Sequence, residues 1–143
     1  MIDITEKRVT LRRAIAQASV HVSPETAAAI REGRIAKGSV EDVSRAAGLL
    51  GVKRTPDVLP FCHPIPIDHT AVRFEIDDEV VKIEVEVTAI ARTGVEVEAM
   101  TGAAIVALNV YDMVKPIEPG VSLGGVRLLT KREIGRASCR ERV

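Results

Sequence analysis

Aromatic side chains are nearly absent: the 143 residues include two Phe, one Tyr and no Trp. Recognition of unpaired bases relies on aromatic platforms, so a single-strand nucleic-acid binder is not expected. The core that 46% hydrophobic residues can build must be aliphatic and rich in alanine. An excess of one charge sign is also missing. Lys plus Arg equals Asp plus Glu at 20 each, and without the tail from Arg132 to Val143 the remainder carries a net charge of −2. That balance argues against duplex nucleic acid and membrane surfaces as partners. Cysteine is scarce: two residues, one of them Cys139 in the tail, make no disulfide framework and fit a reducing compartment. No apolar run reaches the ~20 residues of a membrane span. The most apolar stretch, residues 99–114, contains Asn109 and Asp112 and reads as a buried helix. The opening MIDITEKRVTLRR is charged where an apolar leader would lie, so a cytoplasmic protein is expected.

What is present is ordered punctuation and periodicity. In RRAIAQASVHV the residues Ala14, Ala16, Ala18, Val20 and Val22 share one parity, which predicts a half-buried strand. SPETAAAIREG predicts a two-turn helix with Ser23 as N-cap and Gly33 as its stop, and KGSVEDVSRAAGLLG a second with Ser39 as N-cap and Gly51 at its end. Residues 71–90 predict a hairpin turning at Asp78 and Glu79, with Arg73 opposite Glu84 and Glu75 opposite Lys82. A helix of about five turns starts near Val95 and ends at Pro116, and GVRLLTK supplies a last strand closing near Lys131. Residues 1–131 then form one domain, and residues 132–143 a flexible or artificially appended tail. The expected architecture is an α+β fold: a four-stranded antiparallel sheet with helices packed on one face. The long helix is apolar nearly all round, more than one small sheet can cover, so a subunit interface is inferred.

The stretch LPFCHPIPI packs Cys62, His63 and three prolines into nine positions. Adjacent side chains of an extended segment point to opposite sides, which disfavours a shared tetrahedral metal ion and a Cys–His nucleophilic pair alike. A stiff loop that fixes the direction of the His63 imidazole fits better, because Pro64 holds His63 extended and Pro60 stiffens the approach. Just upstream, VKRTPDV adds Lys53 and Arg54 to the same proline-stiffened segment. Lys37 precedes the N-terminus of the second helix, where free N–H groups and partial positive charge suit an anion. Arg12, Lys115 and Lys131 come from other parts of the chain. A convergence of such cations in a chain of zero net charge would make a local pocket for a small polyanion. On the long helix, Lys115 is three residues from Asp112 and adjacent to it, whereas Glu98 and Asp112 stand about 21 Å apart.

KGSV, KRTPDVLPFCHPIPI, TGVEVEAMTGAAIVALNVYDMVK and GGVRLLTK, in this order and spacing, resemble the molybdenum cofactor biosynthesis protein C family, the cyclic pyranopterin monophosphate synthases. The resemblance covers Met1 to about Lys131. It implies a ferredoxin-like protomer assembled as a hexamer, a trimer of dimers, with sites at subunit interfaces. It implies a lyase that converts a 3′,8-cyclic dihydro-GTP to cyclic pyranopterin monophosphate with release of pyrophosphate, following a radical GTP cyclase in the pathway. Residue by residue, it assigns catalysis to Lys37, Asp112 and Lys115, and substrate binding to Arg12, Lys53, His63, Glu96, Glu98 and Lys131. Cys62 joins the substrate-binding set as the packing neighbour of His63. No resident cofactor is expected; Mg²⁺ accompanying the triphosphate stays open.

The chemistry so implied asks for proton transfers, which Lys37, Lys115 and Asp112 supply if clustering moves their pKa values toward neutrality. Two other readings stand beside it. A non-catalytic purine nucleotide-binding oligomeric regulator would bind such a ligand intact, and a structural scaffold would use the long helix purely as an interface.

Overall fold

The computed structural model describes residues 1–135. The chain runs β1 (Thr10–His21), α1 (Pro24–Arg31), α2 (Val40–Val58), β2 (His69–Ile76), β3 (Val80–Ala91), α3 (Glu96–Val114) and β4 (Ser122–Ile134). The strands form one antiparallel sheet in the order β2-β3-β1-β4, the ferredoxin-like arrangement that places sequence neighbours β2 and β3 together and brings β4 back beside β1. The parity of β1 holds as read: Ala14, Ala16, Ala18 and Val20 are buried against the helices, and on β3 Val81, Ile83, Val85 and Val87 share that face. Arg12 lies on the same parity and is buried with them.

The hairpin register also holds, with Arg73 opposite Glu84 and Glu75 opposite Lys82. The charges then choose their own partners. Arg73 reaches both Glu84 at 3.8 Å and Glu86 at 3.3 Å, while the Lys82 ammonium turns to Asp77 at 3.3 Å instead of to Glu75.

The two N-caps are formed, Ser23 accepting from the Thr26 amide and Ser39 from the Asp42 amide. The end expected for α2 is wrong: the helix passes Gly51 and continues to Val58, so Lys53 and Arg54 ride on helical turns and not on an extended loop. The reason is packing. Gly48, Gly51 and Gly102 mark the close crossing of α2 and α3; a Cβ at Gly51 would stand 2.9 Å from Ile105 Cγ1, and one at Gly102 2.6 Å from Val52 Cγ2. Pro56 sits inside the helix and has no N–H to give Val52 O. The Thr55 hydroxyl donates there instead at 3.0 Å, as well as to Gly51 O at 2.9 Å, so the proline is accommodated without an orphaned carbonyl.

α3 is long and apolar enough by composition to cross a bilayer, but half of that window is buried inside this fold and it serves as the core helix. Its polar and small residues meet different surroundings. Glu98 and Gly102 are buried, Asn109 donates to Ser44 Oγ of α2 at 3.0 Å, and Asp112 is exposed. β4 runs to Ile134, past Lys131 where the sequence pattern ended it, with Leu11 opposite Ile134. Most of the expected tail, including Cys139, lies outside the described residues. α2 and α3 cross antiparallel, with Ser44 near Asn109 and Gly48 near Gly102, so the start of α2 and the segment after its end lie at opposite ends of α3. That arrangement positions the site.

Candidate active site

Most of the residues singled out from the sequence fall into two groups, one at each end of α3; Arg12 and Lys53 belong to neither. At the C-terminal end, Lys37 follows α1 in the turn before Ser39, and its ammonium donates to Asp112 O at 2.7 Å and Asp112 Oδ2 at 3.3 Å. Lys115 Nζ meets the other carboxylate oxygen, Asp112 Oδ1, at 2.9 Å. Asp112 thus stands between two ammonium groups, all three side chains being about half exposed. Next to them, Glu118 accepts from the Ser23 amide at 2.9 Å, which ties the turn after α3 to the start of α1.

The direction of titration in this triad corrects the expectation from sequence. Hydrogen bonds from Lys115 and Lys37 hold the Asp112 carboxyl below its ordinary value, and the hydrogen bond to Asp112 holds the Lys115 ammonium above its own. Both shifts lead away from neutrality. Desolvation at a buried helix end would oppose charge; in the single chain this end is half exposed, so pairing outweighs desolvation and favours both charged forms.

At the N-terminal end of α3, a cavity of about 790 Å³ is lined by Cys62, His63, Glu96 and Glu98 together with Met1, Ile2, Ile4 and Lys7. Its size suits a small ligand. Glu96 and Glu98 occupy the first turn, where the helix dipole favours carboxylates. Lys131 of β4 reaches Glu96 Oε1 at 3.2 Å. Glu98 is 2% exposed and takes its one side-chain hydrogen bond from the Cys62 thiol at 3.3 Å, which leaves Glu98 Oε2, like Glu96 Oε2, buried and unpartnered among the described residues. Burial pushes the Glu98 carboxyl up toward the protonated form. Burial, reinforced by the adjacent Glu98, pushes the Cys62 thiol up from 9.0 to about 11.

A thiol so placed is a donor and packing group, not a nucleophile. In a Cys139→Ser background, Cys62 is expected to react with iodoacetamide at pH 8 on the order of 10²-fold more slowly in the folded protein than in urea, the factor by which the rise lowers its thiolate fraction. Equal rates in the two states would reinstate a reactive thiol.

The remaining cations divide. Arg12 is on the helix-facing side of β1, 6% exposed, with Nη2 on Glu133 at 3.2 Å and Nε buried without a partner among the described residues. Lys53 is exposed on α2 and makes no ion pair or side-chain hydrogen bond among the described residues. One chain therefore brings together Lys37, Asp112 and Lys115, and separately Cys62, His63, Glu96, Glu98 and Lys131; the 14 residues from Glu98 to Asp112 keep the two groups about 21 Å apart. The cavity wall supplied by residues 1–7 was not foreseen. MIDITEK carries no periodicity, and its one local signal, Asp3 two residues before Thr5, marks only a turn.

Known proteins match the chain across both groups. The profile of the MoaC family fits residues 1–133. The chain belongs to that family. Cyclic pyranopterin monophosphate synthases resemble it over 133 residues, 92% of the chain: that of Pelobacter propionicus is 49% identical with 83% of its length covered, that of Cereibacter sphaeroides 45% identical with 84% covered, and that of Thermomicrobium roseum 43% identical with 80% covered. Every residue of the two groups falls inside the span that this MoaC-family chain shares with them.

Proposed function

We propose that this chain is a cyclic pyranopterin monophosphate synthase of molybdenum cofactor biosynthesis: a lyase that rearranges a 3′,8-cyclic dihydro-GTP and releases pyrophosphate. The similarity to synthases across 92% of the chain carries this reading. The chemistry of the two groups supports it. Triphosphate calls for several hydrogen-bond donors, which His63 and Lys131 beside the cavity provide and to which Arg12 and Lys53, outside the two groups, are assigned as well. A guanine-derived base presents N–H donors, and the unpartnered Glu96 Oε2 and Glu98 Oε2 at the cavity are acceptors of the matching kind. Ring opening and closure call for proton transfer, assigned to Lys37, Lys115 and Asp112. Phosphate cyclisation needs charge neutralisation at phosphorus and at the departing pyrophosphate, again by the cations. No step needs a resident redox cofactor; Mg²⁺ would arrive with the triphosphate.

The reading extends to assembly. Two groups about 21 Å apart on one helix do not meet on one small molecule, so the catalytic triad of one protomer is taken to face the cavity of a second. Leu108 on α3 is 51% exposed, and Leu123, Val126 and Leu129 on the edge strand β4 lie near 40%, apolar surface that suits burial between copies in a hexamer. The setting inferred for it is the cytoplasm, downstream of a radical cyclase acting on GTP.

Incubation of the protein with the cyclic dihydro-GTP should yield equimolar pyrophosphate and cyclic pyranopterin monophosphate. Tight binding with the ligand recovered intact, beside an active control synthase, would favour the nucleotide-binding regulator.

A further inference from the structure

Met1, Ile2, Ile4 and Lys7 line one side of the cavity at the start of α3, and among the described residues few hydrogen bonds tie their segment to the fold. Met1 and Ile2 are 71% and 79% exposed, so burial contributes little to holding them. Inside the segment, Asp3 Oδ1 accepts from the Thr5 amide at 2.9 Å and from the Thr5 hydroxyl at 2.6 Å, and the Lys7 amide donates to Ile4 O at 3.0 Å. These bonds shape the segment without fastening it to anything. Among the described residues, one hydrogen bond joins it to the rest of the chain: His63 Nε2 to the Ile2 carbonyl at 2.8 Å. A backbone carbonyl only accepts, so the imidazole must donate from Nε2. The bond therefore occupies an N–H of the same histidine that is assigned to phosphate.

From this geometry we propose that the Met1–Lys7 segment is a movable strap whose Ile2 carbonyl occupies His63 and is displaced when a phosphate anion binds. The proposal rests on the reading of His63 as a phosphate ligand and adds a competitor for its N–H. The physical basis is a competition for one donor. The carbonyl is a neutral acceptor, whereas a phosphate oxygen is charged and makes the stronger bond to the same N–H. A segment with one half-buried apolar side chain, Ile4, and a single hydrogen bond to the rest of the described residues opens at low cost, and its opening widens access to a cavity of about 790 Å³. Lys7, at the far end of the strap, also lines that cavity and makes no ion pair among the described residues, so it keeps a cation at the rim as the near end lifts. Until displacement, the apparent affinity for an anion is lowered by the fraction of molecules in which the strap is closed.

The test is calorimetric titration of inorganic pyrophosphate into the assembled protein, compared with a variant lacking residues 1–3, which retains Lys7. Removal of the competing carbonyl is expected to tighten binding by about three- to tenfold, the worth of one hydrogen bond. Asp3→Ala, which undoes the internal turn without shortening the chain, should shift binding in the same direction by less, and covers the case in which the shortened chain folds poorly. In a His63→Ala background the deletion should gain nothing. Unchanged or weaker binding by the shortened chain, while His63→Ala weakens binding in the full chain, overturns the strap and leaves the phosphate role of His63 standing. A gain that persists in the His63→Ala background overturns the proposed contact. Failure of both the full and shortened chains to bind pyrophosphate removes the phosphate reading of His63 and the strap with it.

Discussion

Alanine at Lys37 or at Lys115 is expected to reduce product formation at saturating substrate by a factor on the order of 10² or more, the scale of general acid–base loss, while pyrophosphate still binds. Arg12→Ala should do the reverse: its loss falls first on affinity, because a buried guanidinium with an unpartnered Nε is a fixed donor for an anion and not a proton carrier. Removal of a group that acts only in the transition state lowers kcat and kcat/KM together, whereas removal of a ground-state contact raises KM. Single-turnover assays with separate detection of pyrophosphate and pterin product separate the two classes. Full turnover by the Lys37 and Lys115 variants would withdraw the catalytic assignment and leave a binding module.

The geometry places a condition on this result. In the single chain Asp112 stabilises the charged form of the ammonium that is to move a proton, and the Lys115 pKa is raised accordingly. A lysine held this way is a poor base near neutral pH. Two events reverse the tendency: burial of the exposed triad under a neighbouring chain, which penalises charge, and substrate contacts that draw the Asp112 carboxylate away from one of its two partners. Catalysis by these residues thus requires cover, and among the described residues the single chain provides none, all three side chains being about half exposed.

The sequence disclosed those parts of the fold that depend on local period and punctuation. The register of β2 on β3 followed from alternation and from one turn, and the starts of α1 and α2 from capping serines. It misplaced the end of α2 because glycine has two physical uses, and only tertiary contact tells them apart. Gly51 is a point of close approach to Ile105 and not a C-cap, and Pro56 is tolerated through a hydroxyl one residue away. The candidate site divides along the same line. Asp112 and Lys115 were legible as neighbours from helical spacing, and their distance from Glu98 from helical rise. That Lys37 meets Asp112, that Cys62 donates to Glu98, and that Ile2 covers His63 are long-range contacts across 75, 36 and 61 residues, which no local pattern encodes. The direction of the titrations was missed for a related reason: it depends on exposure, which helical spacing does not encode.

Mixing two inactive variants provides the sharpest test of that dependence. Lys115→Ala disables the group at the C-terminal end of α3 by loss of proton transfer and His63→Ala the group at its N-terminal end by loss of a phosphate contact, so at substrate well below KM each alone is expected to lose most of its activity, Lys115→Ala to on the order of 1%. If every site takes one group from each of two neighbouring chains, a mixed pair carries one site with both defects and one with neither. Random re-association of equal amounts makes about half of the pairs mixed, so activity should return to about a quarter of that of the unaltered protein, a gain of more than tenfold over the Lys115→Ala variant alone. The variants must be dissociated in mild denaturant and refolded together, with co-refolding of each variant with itself as the control. The two residues lie at opposite ends of a single helix about 21 Å long between Glu98 and Asp112, so one chain has no route to complement itself. A mixture that stays at the level of its components, with hetero-oligomers verified by mass spectrometry, would place each complete site within one chain and require α3 to be spanned by the substrate alone.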